Sequence, residues 1–348
     1  MRSSHHWHRS SLEARLMRDL KETHPILAQL GYHEMIGCFD SETDLDRLGR
    51  VMRQDRQRYS VITENGIVRA ALTTGQRFDP RDKTAFPVVG DWVTLGSLEA
   101  NNATTPITGR IPRRSKLSRR ASGDNYLEQI LVSNLDLIFV VSGLDQNFNL
   151  NRIQRFLTMA WSCGLPAILL LSKADIAEDA DAKIKALEPI LHGTKVYPVN
   201  MHDTETLTGP LKNLNPGQCA ALIGSSGVGK SSMINQILGL DHMPTQAVRA
   251  FDDKGRHTTT HRELCILPND SGLIIDTPGM REAQIWFEPA QFAERYQDLL
   301  VPAQYCRFSD CRHDEDPDCA VRETALKSKK TTDLWRQYSL LQAMAVTE

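Results

Sequence analysis

The sequence predicts a multidomain protein with a small β-barrel, an α/β domain built on a parallel sheet, and a helical C-terminal domain that binds a metal. Between residues 58 and 111, short alternating segments are separated by Gly and Pro, as in small barrels. From residue 135, continuous apolar runs alternate with helical stretches, which is typical of parallel sheets. After residue 286, strand-like runs cease and a cluster of Cys and His follows.

The composition excludes several classes of protein. The chain has 348 residues, of which 41% are apolar and 24% charged, which excludes a largely disordered chain. No apolar run approaches the ~18 residues of a membrane-spanning helix, and the first eleven residues lack the apolar core of a secretory signal. Seven Cys, an odd number, favour a reduced protein over a disulfide framework. We therefore expect a cytoplasmic protein with no membrane partner.

The N-terminal third is predicted to contain an arm and a barrel. Residues 1–58 are polar and helix-prone, so we expect a partly helical or mobile arm. Residues 59–120 are assigned to the barrel. Its strands are expected at 58–72, with a hairpin at Asn65-Gly66, and around 86–95 and 108–111.

Residues 121–285 are predicted to form the α/β domain, and residues 286–348 a helical metal-binding domain. Buried strands are expected within 135–144, 166–175, 217–224 and 272–280, with a shorter strand at 195–199. Helices are expected at 151–163, 181–192 and 232–240.

One glycine-rich loop matches the phosphate-binding pattern G-x-x-x-x-G-K-[ST]. It lies between a predicted strand and a predicted helix, a context that disfavours a ligand-free turn. Lys230 is expected to reach the β- and γ-phosphates, and the Ser231 hydroxyl to bind Mg²⁺. The loop and the residue after it comprise Gly224, Ser225, Ser226, Gly227, Val228, Gly229, Lys230, Ser231 and Ser232.

Two segments that follow the loop have the features of nucleotide-sensing switches. Asp276-Thr277-Pro278-Gly279 ends a predicted strand, so Asp276 can hold Mg²⁺ through water and Gly279 can donate its N–H to a γ-phosphate. Alone, this tetrapeptide is also a plausible β-turn. Residues 255–260 contain three threonines, of which Thr259 is our candidate Mg²⁺ ligand; a simple polar turn is the alternative.

Residues 172–175 predict the choice of base. Asp175 can accept hydrogen bonds from the guanine N1–H and 2-amino groups, and an adenine would leave this carboxylate unpaired. Lys173 is expected to cover one face of the base. Ser172 and Ala174 complete the segment, which in isolation would be read as a surface turn. The order of these motifs is a cyclic rotation of the usual GTPase order.

Three Cys and one His fall within 14 residues near the C-terminus. Such a set matches a tetrahedral structural zinc site, because four protein ligands leave no open position for a substrate. The predicted ligands are Cys306, Cys311, His313 and Cys319.

A basic run lies where the barrel is predicted to end. Six basic residues and no acid occur between residues 110 and 120, namely Arg110, Arg113, Arg114, Lys116, Arg119 and Arg120. By themselves they fit a solvated loop face as well as an RNA-binding face.

Together these motifs resemble the bacterial small-ribosomal-subunit biogenesis GTPases of the RsgA/YjeQ type, which are circularly permuted GTPases. The resemblance covers roughly residues 59–325 and rests on 90–92, 172–175, 224–232, 255–260, 276–279 and the Cys/His cluster. It implies an OB-fold barrel, a permuted GTPase domain and a zinc-bearing helical domain. It also implies a monomeric cytoplasmic GTPase that the small ribosomal subunit stimulates and that acts late in maturation of that subunit. The barrel and the zinc domain would contact ribosomal RNA, which favours an RNA face for the basic run.

The chain departs from this family pattern at the base segment and the switch. Ser172 stands where the family has Asn or Thr, and Asn200 where a Ser usually supports the base. Met280 follows the switch glycine, so no Gln is available there to orient water. The family histidine that corresponds to His257 is the candidate substitute. Two rival functions are a diverged GTP-gated rRNA-binding factor in which hydrolysis is secondary, and an ATP-using P-loop enzyme; Asp175 argues against the second.

Overall fold

The computed structural model describes residues 22–39, 43–55, 58–72, 84–97, 104–120, 127–239, 262–277, 286, 289–313 and 316–346. It begins with a short helix, α1 (Pro25–Gln29), followed by 3-10 turns at Tyr32–Cys38 and Leu45–Arg47. Two Glu64 carboxylate oxygens accept the Ile26 and Leu27 backbone N–H groups at 3.3 and 3.0 Å. This contact fixes α1 against the barrel.

Five strands close into the barrel. They are β1 (Leu48–Asp55), β2 (Arg58–Thr63), β3 (Gly66–Leu72), β4 (Trp92–Leu95) and β5 (Thr105–Arg110). Their order is β1-β2-β3-β5-β4, and β4 pairs back onto β1, so no edge is left open. The β3–β5 pair is parallel, and the other pairs are antiparallel. This closed five-stranded, OB-like barrel confirms the predicted fold of the region.

The first barrel strand corrects one predicted boundary. β1 lies inside residues 1–58, which were predicted to be an arm. The strand was missed because Arg50 interrupts the alternating pattern that marks a strand. In the structure Arg50 is 2% exposed and donates to three carbonyl oxygens, so its charge is tolerated inside. The hairpin also shifts by one residue. Thr63 pairs with Gly66, so the two turn residues are Glu64 and Asn65.

The α/β domain contains five parallel strands in the order β10-β9-β8-β11-β13, with antiparallel β12 beside β13. Their bounds are β8 (Leu137–Gly143), β9 (Ala167–Ser172), β10 (Lys195–Pro198), β11 (Cys219–Gly224), β12 (Glu263–Ile266) and β13 (Leu273–Asp276). One pair of residues, Arg53 and Glu263, joins this sheet to the barrel. The hairpin β6 (Lys116–Arg120) and β7 (Glu128–Ser133) forms a separate sheet and was not predicted.

Helices cover both faces of the parallel sheet, as the continuous apolar runs predict. Phe139 and Leu222 face one core with Met233, whereas Val140 and Ile223 face the other. The helices are α2 (Leu150–Ser162), α3 (Ala180–Leu191), α4 (Thr204–Leu211) and α5 (Lys230–Leu238). Because successive strand residues point to opposite faces, neither face can be polar.

The C-terminal region is helical, as predicted. It contains α6 (Pro289–Arg295), α7 (Gln297–Leu300), α8 (Ala320–Ala325) and α9 (Lys329–Val346). Tyr296, Val321 and Leu341 are fully buried and continue the core on one face of the parallel sheet. Among the described helices, none combines the length and apolar character needed to cross a membrane.

Candidate functional site

The predicted nucleotide-binding segments meet at one edge of the parallel sheet. β8, β9, β11 and β13 end there at Gly143, Ser172, Gly224 and Asp276. All four strands run in the same direction, so their carboxyl ends share this edge. In open α/β sheets this edge is where ligands bind.

The phosphate-binding loop takes a backbone shape that requires glycine. Gly227 and Gly229 have φ values of +77° and +99°, in the left-handed region. A Cβ on Gly224 would lie 2.3 Å from the Val141 carbonyl oxygen, so β8 leaves no room for a side chain. Ser226 and Gly227 are exposed at the tip, where a phosphate group can reach their N–H groups.

Lys230, the first residue of α5, lies folded across the loop. Its Nζ donates to the carbonyl oxygens of Gly224 and Ser225 at 2.9 and 2.8 Å, and the residue is 6% exposed. Burial lowers the pKa of Lys230 to about 8, and the Asp276 carboxylate partly opposes that shift. A buried ammonium whose hydrogen bonds go to carbonyl oxygens is ready to pair with phosphate oxygens.

Two of the three predicted Mg²⁺-binding side chains, Ser231 and Asp276, are in contact. The Ser231 Oγ lies 3.0 Å from Asp276 Oδ2, although the two residues are 45 positions apart. Thr277, directly after β13, links this site to β11, because its hydroxyl donates to the Leu222 carbonyl oxygen at 2.5 Å. A hydroxyl and a carboxylate at this spacing are the oxygen ligands that Mg²⁺ prefers, so the residues fit the ion.

The base segment is tied to the phosphate loop through Ser172. Its buried hydroxyl donates to the Val228 carbonyl oxygen at 2.7 Å, with the Ser142 carbonyl oxygen 3.3 Å away. Asp175 is exposed beyond the strand end, where its carboxylate can accept hydrogen bonds from a base. Ala174 lies between them, and its N–H points to the Val199 carbonyl oxygen at 3.5 Å.

Two residues that the sequence analysis did not identify contact this site. Asp145 pairs with Lys173 at 2.5 Å, and this hydrogen bond is the main cause that lowers the pKa of Asp145. The Nη1 of Arg152, on the first turn of α2, lies 3.2 Å from the Ser225 hydroxyl. Both residues follow β8 in the chain. The signal in the sequence that could have identified them was a polar residue after the end of that strand.

Part of the predicted switch lies outside the described residues. His257, Thr259 and Gly279 all lie outside the described part of the chain, so their roles stay predictions. Ser232 is described and is exposed on the first turn of α5.

The four predicted metal ligands are brought together by the C-terminal helices. One ligand atom each from Cys306, Cys311, His313 and Cys319 lies within 4.8 Å of the others. The Cys306 and Cys319 sulfurs are 4.0 Å apart, close to the roughly 3.8 Å expected around a tetrahedral ion with ~2.3 Å bonds to sulfur. Trp335 Nε1 donates to the His313 carbonyl oxygen at 2.7 Å and holds that loop. The set fits a closed metal site.

Internal ion pairs occupy half of the basic run. Arg113 forms two 2.7 Å bonds to the Asp91 carboxylate, which is fully buried. Arg114 pairs with Asp136, and Lys116 with Glu128. These three cations stabilise the fold, which reduces the charge that the run can offer to RNA.

A known protein family matches the part of the chain that forms this site. The sequence profile of the RsgA GTPase matches residues 110–286, slightly more than half of the chain. The chain belongs to the RsgA GTPase family. As a member of the RsgA GTPase family, it is an enzyme that hydrolyses GTP.

Curated relatives of this RsgA-family chain match along most of its length. The small ribosomal subunit biogenesis GTPase RsgA 1 of Oceanobacillus iheyensis is 37% identical over 305 residues, covering 87% of this chain and 86% of the relative. The small ribosomal subunit biogenesis GTPase RsgA of Opitutus terrae is 35% identical over 327 residues, covering 91% and 89%.

Two solved structures share the fold. YjeQ from Thermotoga maritima aligns with a TM-score of 0.54 at 23% identity, covering 85% of this chain and 98% of that one. YloQ, described as a circularly permuted GTPase, aligns with a TM-score of 0.52 at 21% identity, covering 85% and 95%. The base segment on β9 precedes the phosphate loop after β11 in this chain too, which is the permuted order.

Proposed function

We propose that this RsgA-family chain is a GTPase that the small ribosomal subunit stimulates and that acts late in maturation of that subunit. The proposal is supported by the names of its curated relatives, which are small ribosomal subunit biogenesis GTPases. The single structural observation that carries it is the contact of Ser231 with Asp276 beside Lys230, at the same sheet edge as the tethered Ser172.

GTP binding follows from the geometry of that edge. The loop from Gly224 to Gly229 wraps the phosphates, and Lys230 exchanges its two carbonyl partners for β- and γ-phosphate oxygens. Ser231, Thr259 and Asp276 hold Mg²⁺, directly or through water. When bound, the ion neutralises the charge that develops on the transferred phosphoryl group.

Hydrolysis requires an ordered water beside the γ-phosphate. No Gln follows Gly279, because Met280 occupies that position, so we assign the orientation of the water to His257. Contact with the subunit would place His257 for this role. Loss of the γ-phosphate then releases Gly279 and the threonines, and the adjacent C-terminal domain moves.

We assign one structural Zn²⁺ to Cys306, Cys311, His313 and Cys319, since thiolates and imidazole in a closed tetrahedral set favour zinc. Further, we propose that the zinc domain and the barrel contact ribosomal RNA, and that the protein is a cytoplasmic monomer. We propose four regions with the limits 1–58, 59–120, 121–285 and 286–348, except that β1 belongs to the barrel.

The test is hydrolysis of GTP and of ATP by the purified protein, with and without small ribosomal subunits at matched salt. We expect turnover of GTP and not of ATP, and we expect the subunit to raise the rate of GTP hydrolysis by orders of magnitude. In parallel, His257→Ala should lose the stimulated rate and keep GDP affinity. Stimulation that survives in His257→Ala would remove that residue from the mechanism.

A second candidate function is a GTP-gated RNA-binding factor in which hydrolysis is secondary. The absence of a Gln after Gly279 favours it. The two functions differ in how the protein leaves the subunit. A hydrolysis-deficient Asp276→Asn protein that still dissociates from the subunit with GTP uncleaved would support the second function.

A further inference from the structure

We propose that a cleft on the side of the α/β domain opposite the nucleotide edge binds a small organic anion, with carboxylate or phosphate oxygens on an apolar body. The cleft has a volume of about 870 Å³, within the usual range for small-molecule sites. This inference goes beyond the proposed function and does not depend on it.

The position of the cleft separates it from the GTP site. Leu137, Ala167 and Lys195, the first residues of β8, β9 and β10, line one wall. Residues of α6, α7 and α9 line the other wall, so the cleft lies between the sheet and the C-terminal helices. A seven-residue strand such as β8 places the two ends of the sheet roughly 20 Å apart.

Two buried donors in the cleft lack partners. Thr194 is 9% exposed, and its hydroxyl makes no hydrogen bond to any part of the chain that the structure describes. Arg295 Nε is buried and likewise has no partner among those residues. Buried donors are normally satisfied, and leaving one unpaired costs free energy. Both therefore point to a ligand that brings hydrogen-bond acceptors.

A chain of hydrogen bonds links the segments that carry these two donors. Arg295 Nη2 donates to Gln337 Oε1 at 3.0 Å, and Gln337 Nε2 donates to the His192 carbonyl oxygen at 2.7 Å. His192 is two residues before Thr194 in the turn after α3. The arrangement orients the Arg295 guanidinium without using its Nε, so that group stays available to a ligand.

The charges of the cleft favour an anion. Its lining includes the cations Arg114, Lys195, Arg295 and Lys330 and the carboxylates Asp136, Glu294 and Asp298. Arg114 and Asp136 form an ion pair at 2.5 Å, so three cations and two carboxylates remain, an excess of one positive charge. Leu165, Pro166 and Leu334 supply the apolar surface for the body of the ligand.

The test uses the full-length, zinc-loaded protein saturated with GDP and Mg²⁺, so that the nucleotide site is filled. Benzoate, phenyl phosphate and inorganic phosphate are titrated by calorimetry. We expect benzoate or phenyl phosphate to bind with a single site, and the tighter of the two identifies the oxyanion. Inorganic phosphate should bind more weakly than phenyl phosphate, because it lacks the apolar body.

Variants assign the binding to the cleft. Thr194→Val keeps the shape of the side chain and removes the donor, so we expect affinity to fall roughly 10- to 100-fold, as for loss of a hydrogen bond to a charged group. Thr194→Ser keeps the donor and should bind as the natural chain does. Arg295→Gln should weaken binding to a similar degree as Thr194→Val. Thr108→Val, an exposed barrel threonine, is the matched control.

Two outcomes overturn the proposal. One is the absence of binding for all three probes at millimolar concentration. The other is binding that Thr194→Val and Arg295→Gln both leave unchanged, which would place the ligand elsewhere. GTP turnover is measured separately, so failure here leaves the proposed GTPase function untouched.

Discussion

At the scale of single residues, Ser172 shows how a shorter side chain can keep a role. The family pattern has Asn or Thr at this position, and the serine still reaches the phosphate loop because β9 and the loop are close. Its hydroxyl lies 2.7 Å from the Val228 carbonyl oxygen, and the residue is fully buried. The base segment and the phosphate loop are thus held as one unit.

We predict that Ser172→Ala weakens GDP binding by roughly 5- to 30-fold, or about 1–2 kcal/mol, because it removes this buried hydrogen bond. The measurement is a fluorescent GDP titration. Ser162→Ala provides the control, since Ser162 is equally buried and bonds to Met159 on α2. Equal affinity for Ser172→Ala and the natural chain would contradict the tether.

Lys230 gives a prediction for pH. In the free protein its pKa lies near 8, whereas bound phosphates favour the charged form and raise it. Below about pH 8 the lysine is charged before and after binding, so GDP affinity should not vary through this group. Above that pH, binding must take up a proton, and affinity should fall by up to about tenfold per pH unit.

The check is a GDP titration between pH 6.5 and 9.5 at constant ionic strength. Lys230→Arg is the control, because an arginine remains charged over this range and its curve should be flat at this step. An affinity that rises with pH, or a slope that Lys230→Arg retains, would assign the dependence to another group.

At the scale of elements, the basic run divides into two functions. Arg113 lies in the connection between β5 and β6 and binds the buried Asp91, which also accepts from Ser133 Oγ and the Val88 N–H. Arg119 lies within β6, and its Nε donates to the side-chain oxygen of the exposed Gln129 at 2.9 Å. The first stabilises the junction of barrel and hairpin, whereas the second is available to a partner.

We predict that Arg113→Ala lowers the free energy of unfolding by about 3–5 kcal/mol, because it leaves the Asp91 carboxylate buried without its cation. Arg119→Ala should change stability by less than about 1 kcal/mol and weaken binding to the small subunit. Urea denaturation and subunit co-sedimentation measure the two effects. A stable Arg113→Ala protein with impaired sedimentation would instead assign Arg113 to RNA.

At the scale of the whole molecule, Arg50 joins three parts of the chain. Its guanidinium donates to the carbonyl oxygens of Leu30 in the N-terminal segment, Gly90 in the barrel and Asn134 before β8. The contact distances are 2.5, 3.1 and 2.8 Å. The barrel is therefore anchored to the α/β domain by a buried charge as well as by the β1–β12 pairing.

The metal site has a similar role for the C-terminal domain. We predict that Cys311→Ser abolishes stoichiometric zinc and lowers the melting temperature, because the four ligands come from separate segments and metal binding contributes folding free energy. Cys38→Ser, outside the cluster, should keep one zinc per chain. Zinc analysis by mass spectrometry, combined with calorimetry, decides. Full zinc content in Cys311→Ser would exclude that residue as a ligand.

Local patterns in the sequence were sufficient for the parallel sheet, its helices, the phosphate loop and the Cys/His cluster. Each depends on residues close together in the chain, such as an apolar run or the glycines before Lys230. The first barrel strand and the β6–β7 hairpin were missed, since Arg50, Arg119 and Arg120 break the apolar alternation. The buried charge of Arg50 is acceptable because distant carbonyl oxygens accept its hydrogen bonds.

The sequence alone thus determined the family and the order of its motifs, and it predicted the residues that bind GTP, because these follow from short motifs. Only the tertiary structure decided which side chains meet across long separations. Ser172 reaches Val228, Ser231 reaches Asp276, and Arg152 reaches Ser225 because the parallel strands place their carboxyl ends at one edge. It also decided that half of the basic run is neutralised internally, since ion pairing depends on distances that no local pattern encodes.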